Sequence, residues 1–71
     1  MSEYMVFIEG GEDGSNYSAW VPDLPGCVST GDTIEEVEKN IGEAIEFHLR
    51  GMREDGDPIP APTRTALIKV A

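Results

Sequence analysis

One stretch of this 71-residue chain has the periodicity of an amphipathic helix, and it restricts the possible folds more than any other feature. From about residue 34 to residue 54, apolar side chains recur every three or four residues, and charged side chains occupy the opposite side. Thr33 and Glu36 predict a capping box at the start of this helix. The apolar stripe comprises Ile34, Val37, Ile41, Ala44, Ile45, His48, Leu49 and Met52. We expect this stripe to be buried against a sheet.

Three short segments before the helix have the composition of β-strands. Residues 3–9 are rich in aromatic and β-branched side chains and end at a Gly/Asp-rich loop, and residues 16–22 form a second such segment. Two prolines and a glycine within residues 22–26 interrupt the second strand, after which residues 27–30 predict a short third strand. The pattern predicts an antiparallel meander of three strands.

The segment that follows the helix contains one further predicted strand. The prolines in residues 58–62 favour an extended connector, because each disfavours helix at the residue before it. Residues 65–70 then have the composition of a last strand. We therefore predict an α+β fold of order β-β-β-α-β, an antiparallel sheet with one covering helix, in a single domain spanning residues 1–71.

The first strand is apolar on both faces, although one helix can cover only one of them. Tyr4, Val6 and Ile8 alternate with Met5 and Phe7 along the chain. Trp20 and Leu67 are further candidates for whichever face the helix leaves open. An exposed apolar patch on a small domain usually marks an interaction site, so we expect a second copy or a foreign partner to cover this face.

The charge of the chain indicates which kind of partner it binds. Fourteen acidic and five basic residues give a formal charge of -9, which disfavours direct contact with phosphate backbones and favours a basic protein. A domain this small without a disulfide pair or a metal-ligand motif is commonly stabilised by association, so we predict a homo-oligomer, most simply a dimer. The N-terminus lacks the features of a signal peptide, and we expect a cytoplasmic protein.

The sequence offers little support for catalysis. Cys27 and His48 are the obvious nucleophile and base, but the first opens a strand and the second lies in the apolar stripe. The interiors of the predicted strands contain no carboxylates that could converge on metal ions. We therefore predict a protein that is not an enzyme and that uses no cofactor or metal.

Two joined motifs resemble a known family. The first motif is Pro22-Asp23-Leu24-Pro25-Gly26-Cys27, and the second is Gly31-Asp32-Thr33-x-Glu35-Glu36. Two further segments follow: Asn40-Ile41-x-Glu43-Ala44-Ile45 and Pro58-Ile59-Pro60-x-Pro62. In this combination the chain resembles the HicB family of antitoxins over nearly its whole length. The resemblance implies a partial RNase H-like fold. It also implies binding to a HicA-type toxin, a small basic protein that cleaves mRNA. The DNA-binding segment that many members carry after this domain is not expected here.

The resulting hypothesis is a type II antitoxin that neutralises a HicA-like toxin by direct binding. The alternative is a stand-alone oligomeric interaction or regulatory domain with a partner that is not a toxin. Exposure in the predicted fold selects three helix acids and two aromatic residues as candidate partner-binding residues: Glu35, Glu43, Glu46, Phe7 and Trp20.

Overall fold

The structure is a computed structural model that describes residues 3–11 and 16–71. The strands form one antiparallel sheet in the order β1-β2-β3, which confirms the predicted α+β class and the first four predicted elements. The elements are β1 (Phe7–Gly10), β2 (Tyr17–Trp20), β3 (Val28–Gly31) and α1 (Ile34–Asp55). Each strand has four residues, so the sheet is small compared with the 22-residue helix that covers it.

A hairpin joins β1 to β2, as the Gly/Asp-rich sequence predicts. Phe7 lies opposite Trp20 and Gly10 opposite Tyr17 in the register of the two strands. The Gly11 N–H donates a 2.6 Å hydrogen bond to the Asn16 carbonyl just beyond the last pair. The predicted loop residues 12–15 lie outside the described residues.

Two consecutive turns connect β2 to β3 and explain the Pro-Asp-Leu-Pro-Gly motif. The Leu24 N–H donates to the Val21 carbonyl at 3.1 Å, and the Cys27 N–H donates to the Leu24 carbonyl at 3.0 Å. Gly26 has a φ of 86°, the left-handed conformation required at the third position of a turn with proline second. The double turn places the Leu24 side chain, which is 0% exposed, inside the core.

The core lies between the sheet and α1. Helix α1 packs against β3 and β2. Gly31 allows the close approach, because a Cβ at this position would lie 2.6 Å from the Val37 backbone nitrogen. The buried side chains of this cluster are Ala19, Val21, Leu24, Cys27, Val37 and Ile41. Partly buried side chains extend it on both layers: Tyr4, Val6, Ile8, Tyr17, Ala44, Ile45, Leu49 and Met52.

Both ends of α1 are capped by local hydrogen bonds. The Glu36 N–H donates to Thr33 Oγ1 at 3.0 Å and the Asp32 N–H donates to Glu36 Oε1 at 3.1 Å, which confirms the predicted capping box. At the other end, Gly56 has a φ of 74° and its N–H donates to the Arg53 carbonyl. No helix in the described parts of the chain is long and apolar enough to cross a membrane.

The two glycines within α1 do not mark close packing. The sequence places Gly42 and Gly51 at the edges of the apolar stripe, where an approaching backbone would explain them. A Cβ at either position would meet nothing within 4 Å, so this explanation is wrong. Helical glycines in open space cost stability without a packing benefit.

The last strand predicted at residues 65–70 is not formed, and the connector before it forms neither helix nor strand. Residues 64–71 are exposed, and Leu67 is fully exposed, so Leu67 does not contribute to either face of the sheet. The physical reason is that a strand needs a neighbouring ladder, and these residues do not lie beside one. The partial RNase H-like assignment therefore remains a prediction.

Candidate protein-binding surface

The face of the sheet opposite α1 carries a row of three apolar side chains. Phe7, Trp20 and Val28 lie opposite one another on adjacent strands, one from each. The rings of Phe7 and Trp20 are 5.5 Å apart between centroids and tilted by 36°. Phe7 remains 45% exposed and Val28 65% exposed. We call this row, together with the adjacent polar row of Glu9, Ser18 and Thr30, the open face.

A broad groove runs along the open face beside the double turn. Its volume is about 830 Å³, and its walls include Trp20, Val28 and the two turn prolines, Pro22 and Pro25. Glu9 lines the same groove and supplies a carboxylate. The arrangement combines an aromatic anchor, rigid apolar walls and one acidic group, which suits contact with an apolar and basic protein surface.

The structure brings together two of the five candidate residues and separates them from the other three. Phe7 and Trp20 are in contact on the open face. Glu35, Glu43 and Glu46 are exposed on α1. These three acids lie within about 80° of one another around the helix axis, on the side turned away from the sheet. The candidate residues therefore occupy opposite sides of a two-layer fold.

The acidic side of α1 is less negative than its glutamates suggest. Lys39 and Arg50 are exposed and fall within the same angular sector at 100° per residue. Two positive charges among three negative ones leave a mixed surface.

Sequence reasoning missed Val28 and the turn prolines as parts of the candidate surface. Side chains alternate between the two faces along a strand. Because Cys27 is buried in the core, the next side chain, Val28, must lie on the other face, so this alternation could have identified Val28. The prolines carry no such signal. Their position against the groove depends on the double turn, which is a tertiary feature.

Cys27 and His48 do not form a catalytic pair in this structure. Cys27 is a free cysteine buried in the core, and burial raises the pKa of its thiol, which disfavours the reactive thiolate. His48 is half-buried and lines a separate groove of about 410 Å³ near the end of α1. Among the described residues, no group of three or more His, Cys, Asp or Glu side chains has the arrangement of a metal site.

Asp23 has a structural role that its position in a turn motif does not reveal. Its carboxylate accepts a hydrogen bond from the Thr63 hydroxyl and a 2.7 Å bond from the Thr63 backbone N–H. These bonds lower the pKa of Asp23, and the bond from the Thr63 hydroxyl has the larger effect. The carboxylate thereby holds the segment after the helix against the double turn.

The family model described as "HicB_like antitoxin of bacterial toxin-antitoxin system" matches residues 4–70. The chain belongs to this family. The match includes the double turn, the three strands, α1 and nearly all of the segment that follows it, and it confirms the resemblance found in the motifs. An antitoxin-like role is thus supported for this HicB-like protein.

Curated relatives come from phage, bacteria and archaea. A 14.9 kDa protein from the rep-hol intergenic region of Haemophilus phage HP1 is 49% identical over 57 residues, covering 80% of this chain and 41% of the phage protein. The matched region is thus less than half of that relative. A UPF0150 protein of Synechocystis sp. is 44% identical over 57 residues, covering 80% of this chain and 71% of the relative. A UPF0150 protein from Thermoplasma acidophilum is 40% identical over 58 residues, covering 82% of this chain and 83% of the relative.

Proposed function

We propose that this HicB-like protein neutralises a small, basic, mRNA-cleaving toxin of the HicA type by binding it directly. The observation that carries the proposal is the antitoxin family match over residues 4–70. The formal charge of -9 supports a basic protein partner, because opposite net charges accelerate encounter and favour the correct orientation.

The open face is the proposed contact surface. Phe7, Trp20 and Val28 form a contiguous apolar row, and aromatic side chains at the centre of an interface commonly contribute most of its binding free energy. Glu9, in the adjacent row, lies where it would pair with a basic side chain of the toxin. The proposal therefore combines apolar anchoring with one charged contact.

The acids on α1 have a different proposed role. Glu35, Glu43 and Glu46 lie on the side of the fold away from the open face, so they act at long range. Their charge attracts the basic toxin during encounter, and salt screens such attraction over about 8–10 Å at moderate ionic strength. Their contribution belongs to the association rate more than to the lifetime of the complex.

Co-expression with the small basic protein encoded next to this chain tests the function. We expect rescue of growth and a stable complex that co-purifies. If neither occurs with that protein, the toxin hypothesis fails for the pair, and the alternative of an interaction domain with a partner that is not a toxin gains support.

Substitutions on the open face test the contact surface once a complex is in hand. Trp20→Ala is expected to weaken binding by about thirtyfold, the effect of losing an interfacial hot spot, mainly through faster dissociation. Val28→Ser, at an exposed position, is expected to weaken it less. Phe47→Ser is the matched control, because Phe47 is 76% exposed on α1 and outside the proposed surface. Equal effects of all three substitutions would contradict this placement.

Neutralising the helix acids tests the steering role. The triple variant Glu35→Gln, Glu43→Gln and Glu46→Gln keeps the side-chain shapes and removes three negative charges. We expect slower association at low salt and little difference at high salt, with nearly unchanged dissociation. A large increase in the dissociation rate would instead place these acids in the interface.

We also propose that the protein forms a homo-oligomer, with a two-fold symmetric dimer as the simplest closed form. The small core and the exposed apolar side chains of residues 64–70 support association. Light scattering on the full chain tests it, and a monomer at every soluble concentration would contradict it.

A further inference from the structure

The segment after the helix combines the composition of a strand with nearly complete exposure. Residues 64–70 form no helix or strand within the chain and are exposed, with Ile68 at 77% and Val70 at 81% exposure. β-branched and large apolar side chains of this kind are favoured in strands and are costly to leave in water. Such a segment is expected to be paired in the functional state of the protein.

Two anchors decide where this segment starts. The Tyr4 hydroxyl donates a 2.6 Å hydrogen bond to the Pro60 carbonyl. Three residues later, Thr63 is bonded to Asp23 in the double turn that joins β2 to β3. The chain therefore passes from the residues preceding β1 to the β2–β3 turn. The segment therefore starts from an anchor at the double turn, and within its own chain it is not paired with β1.

The two outer edges of the sheet differ in availability. At β3, the Asn40 side-chain amide donates a 2.8 Å hydrogen bond to the Thr30 carbonyl, so α1 already uses a backbone group of this strand. At β1, the side away from β2 has no strand partner among the described residues. An unpaired edge of this kind is a template for a strand from another chain.

Charge favours docking of this segment on a second copy. Residues 58–71 contain two of the five basic residues, Arg64 and Lys69, and none of the fourteen acidic ones. Residues 1–57 therefore carry three basic and fourteen acidic residues, a formal charge of -11. The basic segment of one copy is thus attracted to the acidic body of another, in which Glu9 lies within β1 itself.

We propose that residues 64–70 add as a strand to the free edge of β1 in a second copy, and that two copies exchange these segments reciprocally. Seven extended residues span about 23 Å, more than the length of a four-residue strand of about 14 Å. The inference rests on the self-association proposed above and goes beyond it by naming the segment and the edge. Exchange at the edge leaves the open face free for a foreign protein.

Proline substitution in the exchanged segment is the first test. Neighbouring N–H groups of a strand point to opposite sides, so the double variant Leu67→Pro, Ile68→Pro removes a ladder donor in either orientation. We expect analytical ultracentrifugation of the full chain to show dimerisation weakened at least about tenfold, with helix content unchanged by circular dichroism. Phe47→Ser is the matched control and is expected to leave dimerisation unchanged.

If the double proline variant dimerises as strongly as the wild type, the proposed strand exchange is wrong, but the proposed self-association still stands. If the wild-type protein is a monomer, both proposals are wrong. Toxin binding is measured separately and is independent of either result.

Mixed labelling identifies the strand that receives the segment. In a dimer made from equal amounts of ¹³C-labelled and unlabelled chains, the methyl groups of Leu67, Ile68 and Val70 are expected to give intermolecular NOEs to residues of β1. Three results would each overturn the proposal: contacts of these methyl groups to β1 of the same chain, contacts to another element, or pairing of residues 64–70 only after a foreign partner is added.

Discussion

The two faces of the small sheet differ sharply, although they share the same twelve strand residues. Ala19 and Trp20 are neighbours in β2, yet Ala19 is buried beneath α1 and Trp20 lies on the open face against Phe7. On the covered face, the small residues Ala19 and Gly31 let the helix approach, and a Cβ at Gly31 would lie 2.6 Å from the Val37 backbone nitrogen. The open face presents large apolar side chains with no helix above them in the described structure.

This difference indicates a division of labour between folding and binding. Side chains on the covered face contribute to the free energy of folding, because their burial is complete within one chain. Side chains on the open face stay partly in water, so their burial free energy becomes available when a partner covers them. Substitutions on the two faces are therefore expected to have separable effects on stability and on binding.

The largest expected effect on stability comes from the core. Leu24→Ala removes a fully buried side chain and is expected to lower the free energy of unfolding by about 2–5 kcal/mol. Val28→Ala, its matched control on the open face, is expected to change it by less than about 0.5 kcal/mol. Denaturant titrations at one fixed protein concentration measure both. Similar losses for the two variants would show that the open face is already buried in the folded state.

Glycine substitutions sharpen the contrast between packed and open positions. Gly31→Ala forces a methyl group against the Val37 backbone and is expected to destabilise the protein by about 1–3 kcal/mol. Gly42→Ala, where a Cβ would meet nothing, is expected to stabilise it by up to about 1 kcal/mol. Thermal unfolding of the two variants gives the comparison, and stabilisation by both would contradict the close approach of β3 and α1.

The helix cap belongs to neither face and should affect stability alone. Thr33→Ala removes the acceptor for the Glu36 N–H and is expected to cost about 1 kcal/mol. Thr33→Ser keeps the hydroxyl and serves as the control. An unchanged melting temperature for the alanine variant would contradict a stabilising role of the Thr33 cap.

The smallest expected effect is a pH dependence at the anchor of the segment after the helix. The hydrogen bonds from Thr63 lower the pKa of Asp23 in the folded protein. The stabilisation that follows from this shift is therefore fully present above the unfolded-state pKa of about 3.9, and it is lost as the pH falls through the folded-state pKa. Asp23→Asn is therefore expected to be less stable than the wild type at neutral pH, with a difference that shrinks below about pH 4. A constant difference across this range would contradict the sign of the shift.

Local patterns in the sequence were sufficient to predict α1 and the three strands. The helix begins at Ile34 as predicted, because a capping box and the periodic stripe are encoded by nearby residues. The strands were predicted in the correct order but too long at several ends. Their ends depend on where cross-strand pairing stops, which individual segments do not encode.

The candidate surface was less predictable than the fold. Phe7 and Trp20 were selected by exposure and do meet, but Glu35, Glu43 and Glu46 lie on the other side of the fold. Assigning residues to one surface requires knowing which face α1 covers. Whether any of the five contacts a partner remains a prediction.

The motifs of the HicB-like family, the amphipathic helix, the double-turn residues and the acidic charge can all be read from the sequence, because they are properties of composition and local spacing. Three features emerge only from the folded chain: Gly31 is the position of close approach, Val28 joins the aromatic pair, and Asp23 accepts hydrogen bonds from Thr63. The folded chain also leaves residues 65–70 outside its own sheet. Strand composition is local, but a strand forms only where a neighbouring backbone offers its hydrogen bonds.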